Sequence, residues 1–141
     1  MQLTRAADYA VRVMIHLAGL PPGTRLPGSA LAAATGVPDS FMSKVLQGLV
    51  RARLIWSRRG VDGGFELAAA PESTTLLEVV EAIQGPIQLN RCLGSGESCE
   101  RQPGCVVHAV WAEAQSAMLA VLRGANLAGL ARRAEAETFP E

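Results

Sequence analysis

Residues 36–68 read GVPDSFMSKVLQGLVRARLIWSRRGVDGGFELA, and the architecture of the chain turns on them. From Asp39 to Ala52 the apolar residues Met42, Val45, Leu46 and Leu49 recur at spacings of three and four, so they share one side of a helix. Asp39 is placed to cap that helix. Ser40, Ser43, Lys44, Gln47 and Arg51 gather on the opposite side, with Phe41 at the flank. The segments LIWSRR, GVDGG and FELA then read as strand, turn and strand. Gly63 and Gly64 allow the tight reversal, and Arg58 and Arg59 stand just before its tip.

Upstream, residues 4–19 predict a helix that Thr4 can cap, and residues 29–35 a short alanine-rich helix stopped by Gly36. GLPPGTRLPG between them reads as loop. Downstream, Thr75 and Glu78 form a capping-box pattern before a helix that ends near Gln84. The longest helix is predicted from about Cys105 to Arg123, followed by a short helical pattern and a disordered tail. The fold class is therefore mainly α with a small β-hairpin wing: a winged helix-turn-helix plus a long helix. The expected organisation is a DNA-binding domain over 1–85, a cysteine loop over 86–104, the long and short helices over 105–130, and a tail over 131–141.

The chain has 141 residues, 49% hydrophobic and 18% charged, with zero net charge. That zero hides a split, because residues 1–60 hold eight Lys/Arg and two Asp/Glu while residues 61–141 hold five and eleven. A basic front half suits a polyanionic partner. The polar side of helix 39–52 offers hydroxyls, an amide and two cations, the groups that bond phosphates and base edges. Arg58 and Arg59 suit the negative potential of a minor groove. An isolated helix of this kind reads more readily as a solvated surface, and the turn as two incidental arginines; the helix before it and the hairpin after it reverse that balance in favour of double-stranded DNA. No apolar run is long enough to span a membrane and residues 1–20 lack a signal-peptide pattern, so the expectation is a cytoplasmic protein.

All three cysteines fall in CLGSGESCERQPGCVVH, Cys92 to His108. Six residues separate Cys92 from Cys99, five separate Cys99 from Cys105, and two separate Cys105 from His108. An odd number of thiols in a reducing compartment argues against a disulfide framework. Soft thiolates suit iron–sulfur clusters or zinc, and the set also fits a structural Cys3His zinc site or a thiol switch. Nothing marks an enzyme: there is no phosphate-binding glycine loop and no G-x-S-x-G.

LTRAADYAVRVMIHLA, GVPDSFMSKVLQGLVRARLI, RRGVDGGFELA, LLEVVEAIQGP and RCLGSGESCERQPGCVVHAVW follow one another in the order of a known family. The chain resembles the iron–sulfur-dependent winged helix-turn-helix transcriptional regulators of the IscR/NsrR/RirA family, up to about Leu130. The resemblance implies a homodimer, a long dimerisation helix over the predicted helix from Cys105 to Arg123, promoter binding, and a [4Fe–4S] or [2Fe–2S] cluster held by Cys92, Cys99 and Cys105. It further implies that nitric oxide, redox or iron status governs a DNA-binding repressor. Two fourth ligands compete. His108 matches the histidine of IscR-like members, and Asp8 matches an acidic position that reaches the cluster from the partner subunit in NsrR-like ones. The expectation favours Asp8 of the partner subunit, although an ion pair with Arg12 would compete for it. Val107, Trp111, Ala114, Met118, Val121 and Leu122 form the stripe expected to seal the dimer. The other readings are a zinc-stabilised or thiol-switch winged-helix regulator without a cluster, and a cluster-carrying scaffold that binds no DNA.

Overall fold

The computed structural model describes residues 2–94 and 104–137. Among the described residues six α-helices and one hairpin make the fold. Helix α1 spans Arg5–Ala18 and starts on Thr4, whose side chain accepts a hydrogen bond from the Ala7 amide at 3.1 Å. Its inner side, Ala7, Ala10, Val13, Met14 and Leu17, is buried. The pattern of three and four makes α1 the central pillar, packed by α2 (Gly28–Thr35), α3 (Asp39–Arg51), α4 (Leu76–Gln84) and α6 (Leu127–Glu137).

Helix α2 ends at Gly36, which takes the left-handed conformation at φ 72°. Pro38, rather than Asp39, is the cap of α3, and no side chain caps it. Asp39 sits one position inside, where a carboxylate still meets the positive end of the helix dipole. Strands β1 (Ile55–Arg58) and β2 (Gly64–Leu67) pair antiparallel, with Ile55 opposite Leu67 and Ser57 opposite Phe65. The loop expected before α2 adds a rung on the other edge of β2: Leu26 and Phe65 exchange both backbone hydrogen bonds, at 3.1 and 2.8 Å. That rung requires Gly64, where an added Cβ would lie 2.6 Å from the Leu26 carbonyl and φ is +142°. Helix α4 carries the full capping box, with Thr75 and Glu78 bonded reciprocally at 2.8 and 3.2 Å.

Two apolar clusters hold these parts together. The larger joins Met14, Leu31, Leu49, Ile55, Val79 and Leu127 across α1, α2, α3, β1, α4 and α6. The smaller joins Ala7, Leu77, Val80 and Ile87, and receives Met118, Leu119 and Leu122 from α5 (His108–Gly124). Helix α5 begins three residues later than expected and buries none of its own residues fully. The segment joining it to α6 is pinned to α4: the Leu76 amide bonds the Ala125 carbonyl at 2.8 Å, and the Leu127 amide bonds the Thr74 carbonyl at 3.0 Å. Helix α6 then lies on α1 with Leu127, Ala128 and Ala131 buried, so residues 131–137 are helix where a tail was expected.

Candidate nucleic-acid interface and cysteine segment

Every polar residue expected on the reading side of α3 is exposed: Ser40, Ser43, Lys44, Gln47 and Arg51. The buried side is Met42, Val45, Leu46 and Leu49, so the amphipathic pattern orients the helix as expected. Arg58 and Arg59 are exposed on the wing. Among the described residues the ion pairs are Arg12 with Asp8 and Arg25 with Glu66. Lys44, Arg51, Arg58 and Arg59 are therefore exposed cations outside any ion pair among the described residues.

Two clefts flank α3. The larger, about 780 Å³, lies between α3 and the wing and brings Ser43, Gln47 and Arg51 together with Arg59. It adds Ser29 and Ser57, which no local pattern in the sequence singles out. The smaller, about 330 Å³, lies toward α1 and α4 and is lined by Lys44, Gln47 and Arg51. Arg59 thus shares the cleft with α3. Arg58 ends β1 opposite Gly64, out of register with Ser57, so the pleat turns it to the other face of the hairpin beside Trp56.

Phe41 is half-buried, its ring edge-on to Tyr9 at 5.1 Å and 75°. The Arg12 guanidinium lies 5.7 Å from the Tyr9 ring centre and bonds Asp8 at 3.0 Å. A chain of contacts therefore runs from Asp8 through Arg12 and Tyr9 to the flank of α3. Tyr9 and Arg12 carry no periodic signal that would reveal this role.

The cysteine segment is anchored on α5. Cys92 sits in a 3-10 turn, Arg91–Leu93, which Asn90 starts by accepting from the Arg91 amide at 2.8 Å. The Leu89 amide donates to Gln115 Oε1 of α5 at 2.8 Å, and the turn packs on that helix. Cys105 is three residues before His108, the first residue of α5. Both are free, half-buried thiols. Cys99 lies outside the described residues. Among the described residues no side chain caps the start of α5, where the positive end of the helix dipole favours an anionic ligand set. His108 Nδ1 is buried and has no hydrogen-bond partner among the described residues. Asp8 and Arg12 are both 54% exposed, so their ion pair is worth little, about 0–1 kcal/mol. Among the described residues no three His, Cys, Asp or Glu side chains form a metal-holding group.

The expected dimer stripe divides in two. Met118 and Leu122 pack on the chain's own smaller cluster. Val107, Trp111, Ala114 and Val121 are exposed, and Val110 and Ala117 extend the same outward face.

The model of a family described as Rrf2, iron-dependent transcriptional regulators, matches residues 3–133. The chain belongs to the Rrf2 family. A Mycobacterium tuberculosis (strain H37Rv) protein, Rv1287, which bears the name of an HTH-type transcriptional regulator, is 35% identical over 131 residues, covering 93% of this chain and 81% of that protein. Among solved structures, CymR of B. subtilis, described as the global cysteine regulator, superposes with a TM-score of 0.76 at 22% identity, covering 94% of this chain and 98% of its own. IscR of T. potens superposes with a TM-score of 0.73 at 22% identity, covering 100% of this chain and 93% of its own. Those two likenesses establish a shared fold. The chain is thus a transcriptional regulator of helix-turn-helix type, with α2 and α3 as the helix pair and the hairpin as the wing. No helix among the described residues is long and apolar enough to cross a membrane.

Proposed function

We propose that this Rrf2 protein is a homodimeric repressor whose promoter binding is controlled by an iron–sulfur cluster on Cys92, Cys99 and Cys105, in response to nitric oxide, oxidant or iron. The observation that carries the DNA half is the convergence of Ser43, Gln47 and Arg51 with Arg59 on one cleft, with no carboxylate pairing either arginine among the described residues. Lys44 on the opposite flank of α3 extends the charge along a phosphate backbone. The exposed apolar face of α5 supports the dimer, because a twofold pair of such helices would bury it and set two recognition helices in successive major grooves.

The cysteine segment fits a cluster in its donor chemistry. Two soft thiols stand at the head of a helix and on a turn packed against that helix, and among the described residues that head has no side-chain cap and a buried imidazole nitrogen there has no partner. A bound cluster would supply a cross-link that reactive small molecules or iron loss can undo. Cys92 would anchor the turn and Cys105 the start of α5, so ligation couples the segment to the helix proposed to seal the dimer. Such coupling needs only about 1–3 kcal/mol to change operator affinity several-fold. For the fourth ligand, Asp8 of the partner subunit would have to leave Arg12. His108 Nδ1 has no partner among the described residues, and a buried polar atom left so costs about 1–3 kcal/mol. That nitrogen shifts the balance toward His108, against the preference for Asp8 read from the sequence. Zinc or a thiol switch would use the same side chains, and iron and sulfide content separates those readings.

Fluorescence anisotropy with a duplex from the protein's own promoter, against a shuffled duplex, tests the DNA half. The expected result is a specific complex that weakens steeply with salt. Equal binding to both duplexes, or none at low salt, would leave a cluster-carrying scaffold instead.

A further inference from the structure

The wing cleft holds more than a nucleic-acid surface requires. Its rim is Arg51 and Arg59, but its floor is Met42, Leu46, Val50 and Phe65. Phosphate contacts use charge and hydrogen bonds, and a hydrated duplex backbone gains little from an apolar trench. The lining runs along α3 from Asp39 to Arg51, thirteen residues, whose twelve steps span about 18 Å. The volume, about 780 Å³, lies in the range of small-molecule sites, about 300–1,000 Å³. Apolar walls with a few placed polar groups are also the usual composition of such sites. Asp39 contributes one negative charge at the start of α3, so the two guanidiniums leave the lining net positive.

We propose that this cleft is a binding site for a small, elongated amphipathic anion: an apolar body on Met42, Leu46, Val50 and Phe65, and an anionic head on Arg51 and Arg59. Charge complementarity selects the anion, and the apolar floor selects against inorganic ions and sugars. Because Arg51 and Arg59 also serve the DNA surface, occupancy excludes DNA. That exclusion rests on the DNA reading; the site itself does not.

Titration of the full-length protein with anilinonaphthalene sulfonate, a fused-ring monoanion, tests the site by fluorescence. The expected result is saturable enhancement with one probe per chain, weakened about tenfold by Val50→Gln and by Arg51→Gln. The promoter duplex should displace the probe. Arg51 is exposed, so Arg51→Gln keeps the test valid should Val50→Gln unfold the chain, which thermal melts would reveal. Enhancement unchanged in Arg51→Gln, or probe and duplex bound together, would overturn the proposal. Probe binding with the expected variant pattern but no duplex binding at any salt would refute the DNA reading and leave the site standing.

Discussion

Replacing Val121 by Glu should dissociate the proposed dimer without unfolding the chain. Val121 is 72% exposed on the outward face of α5, so the chain's own fold makes little use of it. Full burial of a valine side chain is worth about 1.5–3 kcal/mol, which makes the exposed share about 1–2 kcal/mol. Twofold symmetry counts that loss twice, for about 2–4 kcal/mol. A carboxylate in an apolar seam adds a desolvation penalty of several kcal/mol unless the helices part. Even a net loss of about 3 kcal/mol raises the dissociation constant roughly a hundredfold. Met118→Glu should behave differently, because Met118 packs on the cluster of Leu77, Val80 and Ile87. It should lower the stability of each chain as well as the dimer. Sedimentation velocity over a concentration series, paired with thermal melts, separates the two effects. A native protein that sediments as a monomer, or a Val121→Glu variant that dimerises like the native chain, would refute this reasoning.

Lys44→Ala should weaken all DNA sequences alike and reduce the slope of log affinity against log salt by about one, read by anisotropy. Arg59→Ala should lose most at operators with a narrow minor groove; equal loss at all sites would move Arg59 to a phosphate contact. Gly64→Ala should cost about 2 kcal/mol or more in a denaturant titration, since its Cβ would collide with the Leu26 carbonyl. An unchanged midpoint would dissolve the argument that the Leu26–Phe65 rung requires Gly64. Single Cys92→Ala, Cys99→Ala and Cys105→Ala variants should each lose the cluster while keeping the dimer. His108→Ala should shift the cluster's absorbance more than Asp8→Ala, and the opposite order would restore the carboxylate of the partner subunit as ligand.

Much of the fold is legible in the sequence because its signals are local and repeated. The three-and-four spacing through Ala10, Val13 and Leu17 sets which side of α1 is buried, and the Thr75–Glu78 pair marks the start of α4 where the structure has it. The less legible parts depend on single contacts between distant residues. The Leu26–Phe65 rung is one pair with no periodicity. The apolar residues of α5 cover two faces, and only the packing of Met118 and Leu122 on α4 distinguishes inward from outward. Helix α6 carries a weaker apolar pattern, and its burial against α1 depends on the backbone link at Thr74 and Leu127. On the site, the reading face of α3 follows from its periodicity. The sharing of one cleft by Arg51 and Arg59 does not, because it depends on how the hairpin folds back.

The most direct test of the central claim is promoter binding by anaerobically purified protein whose iron, sulfide and zinc contents are measured on the same sample, before and after nitric oxide. The account predicts a coloured protein containing iron and acid-labile sulfide, with a specific DNA complex that is lost as the cluster's absorbance is lost. A colourless zinc protein, or a promoter affinity unchanged by destruction of the cluster, would contradict it.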